Sequence, residues 1–244
     1  MIKGYQLHTL SRRLPFRAKL SQYFQNTRRH LCAVAGCNIY SHASQLQFLS
    51  SNALELLQNQ KRFFWGVDVA FNRVDEERVR LAGPDRAAAE WVLRNGGTIK
   101  WTTSSNHLND YNMLPSTQFE NYKLEEIDLT ATDVIGIGFE HLRDLHYLKK
   151  IKLHGCRTVG DDGLSHLSFV ADTLTDFEIS RCPMITEKGL NHILSLKQLK
   201  VLVLYDLMEI RNLDTVVANL RKQMPGVAIK TKDPLLTDLG KEKH

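Results

Sequence analysis

Hydrophobic positions recur with a long period in the second half of the chain. The segments LEEIDLTAT, LKKIKLHGC, LTDFEISRC and LKVLVLYDL start at Leu124, Leu148, Leu174 and Leu199, spaced 24, 26 and 25 residues apart. Each follows L-x-x-[I/F/L]-x-[L/I], and the first three run on to Gly-[Leu/Phe]-x-His-[Leu/Ile] at Gly138, Gly163 and Gly189. The alternation predicts a short strand in each copy, and the second half of each unit has helical spacing. One such unit cannot bury its apolar side alone, so units of this length stack into a curved array. The pattern therefore predicts an α/β fold: a short leucine-rich-repeat solenoid of about four repeats, capped by a small N-terminal helical domain. A terminal strand is expected over 227–232.

Ahead of the repeats the pattern is helical. Asp75 is placed to cap a helix whose first turn holds Glu76 and Glu77, where carboxylates meet the positive end of the helix dipole. Gly83 ends that helix and Pro84 opens the next, where a missing N–H does no harm. Ala88, Trp91 and Val92 then share a face, and Asn95-Gly96 supplies a left-handed stop. Phe63, Phe64, Trp65, Phe71 and Trp91 either lid the open end of the repeat core or form an aromatic docking surface. Residues 102–121 are polar and read as a connecting loop. The expected organisation is a leader over 1–60, a helical capping domain and loop over 61–123, repeats over 124–232 and a tail over 233–244.

The polar positions within the predicted strands are ordered too. Glu126, Lys150 and Asp176 form one column; Asp128, Lys152 and Glu178 form the next. Parallel neighbours lie about 4.8 Å apart, so each column alternates in sign between touching strands. Such ladders neutralise themselves. A nucleic-acid groove would need an excess of Lys or Arg to displace counterions, so the pattern fits a protein partner instead. Val201, Val203 and Tyr205 break the charge pattern in the fourth copy, as a contact surface or as a surface covered by the C-terminal cap.

Composition changes the picture at the N-terminus. The whole chain has 244 residues and a net charge of +5, but residues 1–54 contain no acid and carry +7 through Lys3, Arg12, Arg13, Arg17, Lys19, Arg28 and Arg29. The remaining residues are close to neutral. An acid-free leader rich in Arg and Ser, with Leu7, Leu10 and Leu14 at helical steps, is expected to be a mitochondrial transit segment. No run of about 18 uncharged apolar residues exists to predict a spanning helix. Of the four cysteines, Cys32 and Cys37 lie in the leader, while Cys156 and Cys182 hold the same repeat position and read as buried packing residues.

Tempting chemistry is weak. His141, His166 and His192 recur at one repeat position, but packed helices are about 8–10 Å apart, too far to share a zinc. They are expected to be solvated on the convex side. Gly136-x-Gly138 is half of a phosphate-binding fingerprint, with His141 where a third glycine would stand. No Walker lysine, H-E-x-x-H or nucleophile elbow is present, and no enzyme is predicted.

The stretches FFWGVDVAFNRVDEERVRLAGPDRAAAEWVLRNGG, NDYNMLP, ISRCPMITEKGL and LVLYDL resemble the ATP synthase subunit s (coupling factor B) family and its distal membrane-arm assembly relatives, over about residues 63–210. The resemblance implies a non-catalytic, peripheral coupling factor on the matrix side of the mitochondrial inner membrane, supporting proton-coupled ATP synthesis by ATP synthase. Its partner would be a membrane-complex subunit. An alternative is an assembly factor for the distal membrane arm of complex I. A further alternative, from the repeat type alone, is a ubiquitin-ligase substrate adaptor. The resemblance also implies a Mg²⁺ held by backbone carbonyls, at Gly96 and Thr130 here. The family's paired cysteines of the second repeat are reduced to Cys156 alone. Candidate partner-binding residues are Trp65, Trp91, Asp128, Lys152 and Glu178.

Overall fold

The computed structural model describes residues 66–232, so the leader, Trp65, Cys32, Cys37 and the tail from 233 lie outside the described residues. Residues 67–232 fall within one compact unit. Helical residues up to 72 lead into α1 (Glu76–Ala82) and α2 (Pro84–Arg94). Asp75 caps α1 by accepting a hydrogen bond from the Arg78 N–H at 3.1 Å. Gly83, at φ 83°, joins the two helices in a conformation that side chains rarely adopt.

The chain then builds a seven-stranded sheet in the order β2-β1-β3-β4-β5-β6-β7. β1 (Thr98–Trp101) and β2 (His107–Leu108) form an antiparallel edge, and β1 also pairs antiparallel with β3 (Leu124–Asp128). The remaining strands, β4 (Lys150–His154), β5 (Asp176–Ser180), β6 (Val201–Tyr205) and β7 (Ala228–Lys230), are parallel to β3 and to one another. β3 to β6 fall in the four predicted segments. β1 and β2 correct the reading of this region as helix followed by loop. The tetrapeptide TIKW alternates apolar and polar, but it is too short to register as a strand without β3 beside it.

The return paths are compact. Residues 136–142 form a 3₁₀ turn, while α3 (Asp161–Ser165) and α4 (Glu187–Leu190) each pass directly into 3₁₀ segments. α5 (Leu213–Gln223) is the longest return and precedes β7. Ala131, Gly155, Arg181 and Asp206 occupy one equivalent position after β3, β4, β5 and β6, and all four have φ between 51° and 67°. The same left-handed turn thus recurs, although only one of its residues is glycine.

The apolar strand positions Ile127, Leu129, Ile151, Leu153, Phe177, Ile179, Leu202 and Leu204 join Phe139, Leu164 and Leu190 in one continuous core. Cys156 and Cys182 are buried within it. α2 packs on the same core through Trp91, which meets Phe139 edge-on at 6.0 Å. Gly138 explains itself here: a Cβ would lie 2.7 Å from Trp91 Nε1 and 2.5 Å from Asn72 Oδ1. Close packing with the helical segment is what this glycine serves, not phosphate binding.

Candidate functional site

The strand registers set three columns across the open face of the sheet. Glu126, Lys150, Asp176 and Val201 stand side by side, as do Asp128, Lys152, Glu178 and Val203. Lys100 of β1 stands opposite Glu126 and extends the first column. Sequence reasoning missed Lys100 because it missed β1. Its ammonium lies 2.8 Å from Glu126 and 3.0 Å from Glu125; Lys149 reaches Glu125 at 2.9 Å. Lys150 lies 3.6 Å from Glu126, and Lys152 lies 3.8 Å from Asp128.

These pairs move the charges' affinities for protons. Lys149 and then Lys100 hold Glu125 below the usual carboxylate range. Burial pushes Glu126 up, but the hydrogen bond from Lys100 and the charge of Lys150 outweigh it, so Glu126 is also lowered. Hydrogen bonds to Glu126 and Glu125 raise Lys100. Lys100, Glu125 and Glu126 are therefore held in their charged forms.

The third column ends the strands in hydroxyls and imidazole. His154 Nδ1 lies 2.8 Å from Ser180 Oγ, and Tyr205 donates to Glu178 Oε1 at 3.3 Å. Ser180 is fully buried, so its hydroxyl has no path to attack a substrate. This group braces neighbouring strands.

The other candidates sort differently. Trp91 is 1% exposed and donates through Nε1 to Asn72 Oδ1 at 3.0 Å, so it is a core residue; its reading as a contact residue is corrected. Asn72 was missed, yet it also accepts from the Ile135 N–H at 3.2 Å and so ties the helical segment to the first repeat. Glu90, likewise missed, binds Arg78 at 3.0 Å and Arg86 at 2.7 Å. Burial alone would raise Glu90, but those two guanidiniums hold it lowered.

His141 overturns the expectation of a solvated histidine. It is 8% exposed and stacks on Trp91 with ring centroids 5.2 Å apart. Its ring nitrogens have no hydrogen-bond partner among the described residues. Burial, aided by the Arg94 charge, lowers it to about 4 despite the nearby Asn72 and Arg73 backbone, so it is neutral. His166 is half-buried, with Nδ1 3.0 Å from the Asp162 carbonyl, and His192 is exposed. A cleft of about 50 Å³ beside His141 is lined by Val74, Val79 and Pro84.

The Cys182 side chain, with burial, pushes the Cys156 thiol up. Cys156 Sγ donates to the Leu129 carbonyl at 2.9 Å. Such a thiol is protonated and a poor nucleophile. Among the described residues, no group of three or more His, Cys, Asp or Glu side chains is arranged to hold a metal. Gly96 is exposed at φ 84°, and Gly97 packs so that a Cβ would fall 2.8 Å from the Asp128 carbonyl. Thr98 pairs with Asp128 at the end of the β1–β3 ladder, and Gly96 and Thr130 lie in the turns two residues beyond that pair. Asp128 Oδ1 accepts from the Thr130 N–H at 2.8 Å.

These features define an α/β protein whose open sheet face carries ordered rows of opposite charge. No family model matches the chain. It is 38% identical over 173 residues to a Pongo abelii protein named ATP synthase subunit s, mitochondrial, covering 69% of this chain and 86% of the relative. The human protein of that name is 37% identical over the same coverage. A Drosophila melanogaster protein named distal membrane arm assembly component 2 is 26% identical over 163 residues, covering 65% of this chain and 57% of the relative. The chain belongs to the ATP synthase subunit s family.

Proposed function

We propose that this protein is a non-catalytic coupling factor of mitochondrial ATP synthase, peripheral to the matrix side of the inner membrane, that supports proton-coupled ATP synthesis by docking on a membrane-complex subunit. The strand–turn–return units are read as a short leucine-rich-repeat solenoid; the recurring left-handed position after β3, β4, β5 and β6 supports that reading. Asp128, Lys152 and Glu178 form the centre of the docking face. The observation that carries the proposal is this ladder of opposite charges in a chain 38% identical to a named ATP synthase subunit. Among the described residues no helix is long and apolar enough to cross a membrane, which suits peripheral attachment through a partner.

Crosslinking mass spectrometry on intact mitochondria tests this. Links from Lys150 and Lys152 to an ATP synthase subunit are expected; links to neither ATP synthase nor complex I subunits would overturn it. A second reading, assembly of the distal membrane arm of complex I, draws on the Drosophila relative. It predicts links to complex I intermediates and loss of complex I on depletion, with ATP synthase intact.

The Gly96 and Thr130 carbonyls are the proposed Mg²⁺ ligands. Carbonyl oxygens suit a hard cation that keeps several waters, and both residues lie in turns that adjoin the Thr98–Asp128 pair. Bound there, the ion would pin the turn after α2 to the end of β3. Mg²⁺ added to chelator-treated protein is expected to raise Tm in proportion to occupancy; an unchanged Tm up to millimolar Mg²⁺ would count against the site.

A further inference from the structure

The charges on the open face sort by strand as well as by column. Lys100 stands on β1, Glu126 and Asp128 on β3, Lys150 and Lys152 on β4, and Asp176 and Glu178 on β5. Crossing the sheet from β1 therefore meets positive, negative, positive, negative. β6 closes the field with Val201, Val203 and Tyr205, of which Val203 and Tyr205 are 8% and 6% exposed. The charged side chains still reach solvent: Lys150 is 50% exposed, Asp128 35%, Lys152 32% and Glu126 20%.

The stripe spacing selects one kind of backbone. Strands lie about 4.8 Å apart, so the four stripes fall near 0, 4.8, 9.6 and 14.4 Å. An α-helix laid across the strands rises about 1.5 Å per residue, which sets positions i, i+3, i+7 and i+10 near 0, 4.5, 10.5 and 15 Å. Those positions also share one side of the helix. A partner strand laid the same way repeats its facing side chains about every 6.8 Å, so its second facing residue falls between the stripes of β3 and β4 and the strand cannot address all four stripes in turn.

We infer that this face receives an α-helix of a partner protein lying across the strands, with an acid at i, a base at i+3, an acid at i+7 and a base at i+10 set against β1, β3, β4 and β5. The inference rests on the docking reading above and names its occupant. Because lateral pairs already neutralise the face, each added contact is modest. Sliding the helix by one strand, however, turns every attraction into a repulsion. The stripes thus choose register more than they supply affinity.

The test uses two stapled helical peptides of identical composition, one carrying Glu-x-x-Lys-x-x-x-Glu-x-x-Lys and one carrying Glu-x-x-Glu-x-x-x-Lys-x-x-Lys. Their binding to the full-length protein is read by fluorescence anisotropy at low and at physiological salt. The alternating peptide is expected to bind about tenfold tighter, with the preference shrinking as salt rises. The preference is expected to vanish in Lys150→Glu/Lys152→Glu, whose melting curve verifies folding. Equal binding of both peptides, or binding of neither, overturns the helix. Recovery of ATP synthase subunits from mitochondria by wild-type and by Lys150→Glu/Lys152→Glu protein keeps the two readings apart. If charge reversal abolishes recovery while the peptides are not discriminated, docking stands and the helical occupant falls. If the variant recovers the subunits as wild type does, docking through this face falls as well.

Discussion

Around Trp91 the polar groups are buried, whereas on the open face of the sheet they are paired and wet. At the first place Asn72 bridges Trp91 and the Ile135 amide, Asp85 accepts from the Leu124 N–H at 2.9 Å, and His141 is kept neutral against the indole. At the second, Lys152 and Asp128 are each about a third exposed and 3.8 Å apart. The same kinds of side chain hold the helical segment onto the first repeat in one region and write a charge pattern for a partner in the other. Burial makes the difference. Removing a partner from a buried pair leaves an unsatisfied group, while removing one from a solvated pair leaves a hydrated one.

That contrast can be broken in four steps. Trp91→Ala should cost about 3–5 kcal/mol in urea unfolding, since it empties the contact with Phe139 and removes the indole N–H that Asn72 accepts. His141 should make the fold acid-sensitive. Its pKa is lowered to about 4 when folded, against an ordinary 6.5 in the unfolded chain, so the unfolded chain binds more protons between those values. Its stabilising contribution is complete above pH 6.5 and falls by up to about 3 kcal/mol as pH drops to 4; His141→Leu should flatten that part of the pH–stability curve. Asp85→Ala should cost about 1–3 kcal/mol by leaving the buried Leu124 amide unpaired, read as an earlier urea midpoint. Lys152→Ala should cost no more than about 1 kcal/mol in the same assay, so a larger loss would mean that the face is structural.

The repeat period made β3 to β6 and their charge columns legible, because every leucine of the pattern faces the same core. β1 was hidden: four residues become a strand only when β3 lies beside them, and with β1 went Lys100. His141 misled for a similar reason. Its repeat position faces solvent at His192, yet α2, some fifty residues earlier in the chain, brings Trp91 over it in the first repeat. Trp91 read as a lid before a docking surface, yet both stayed open, since amphipathic spacing reports a buried side but not what buries it. The cysteines were placed in the core correctly, but their proximity depends on the parallel register of β4 and β5. The left-handed turns at Ala131, Arg181 and Asp206 leave no composition signal at all, for only Gly155 advertises a positive φ.

A photo-crosslinking residue placed at Lys152, compared with one at the exposed Leu81 of α1, examines the division of labour most directly. In intact mitochondria position 152 should capture an ATP synthase subunit and position 81 should not. Capture from position 81 alone, or equal capture from both, would contradict a docking face built on the strands.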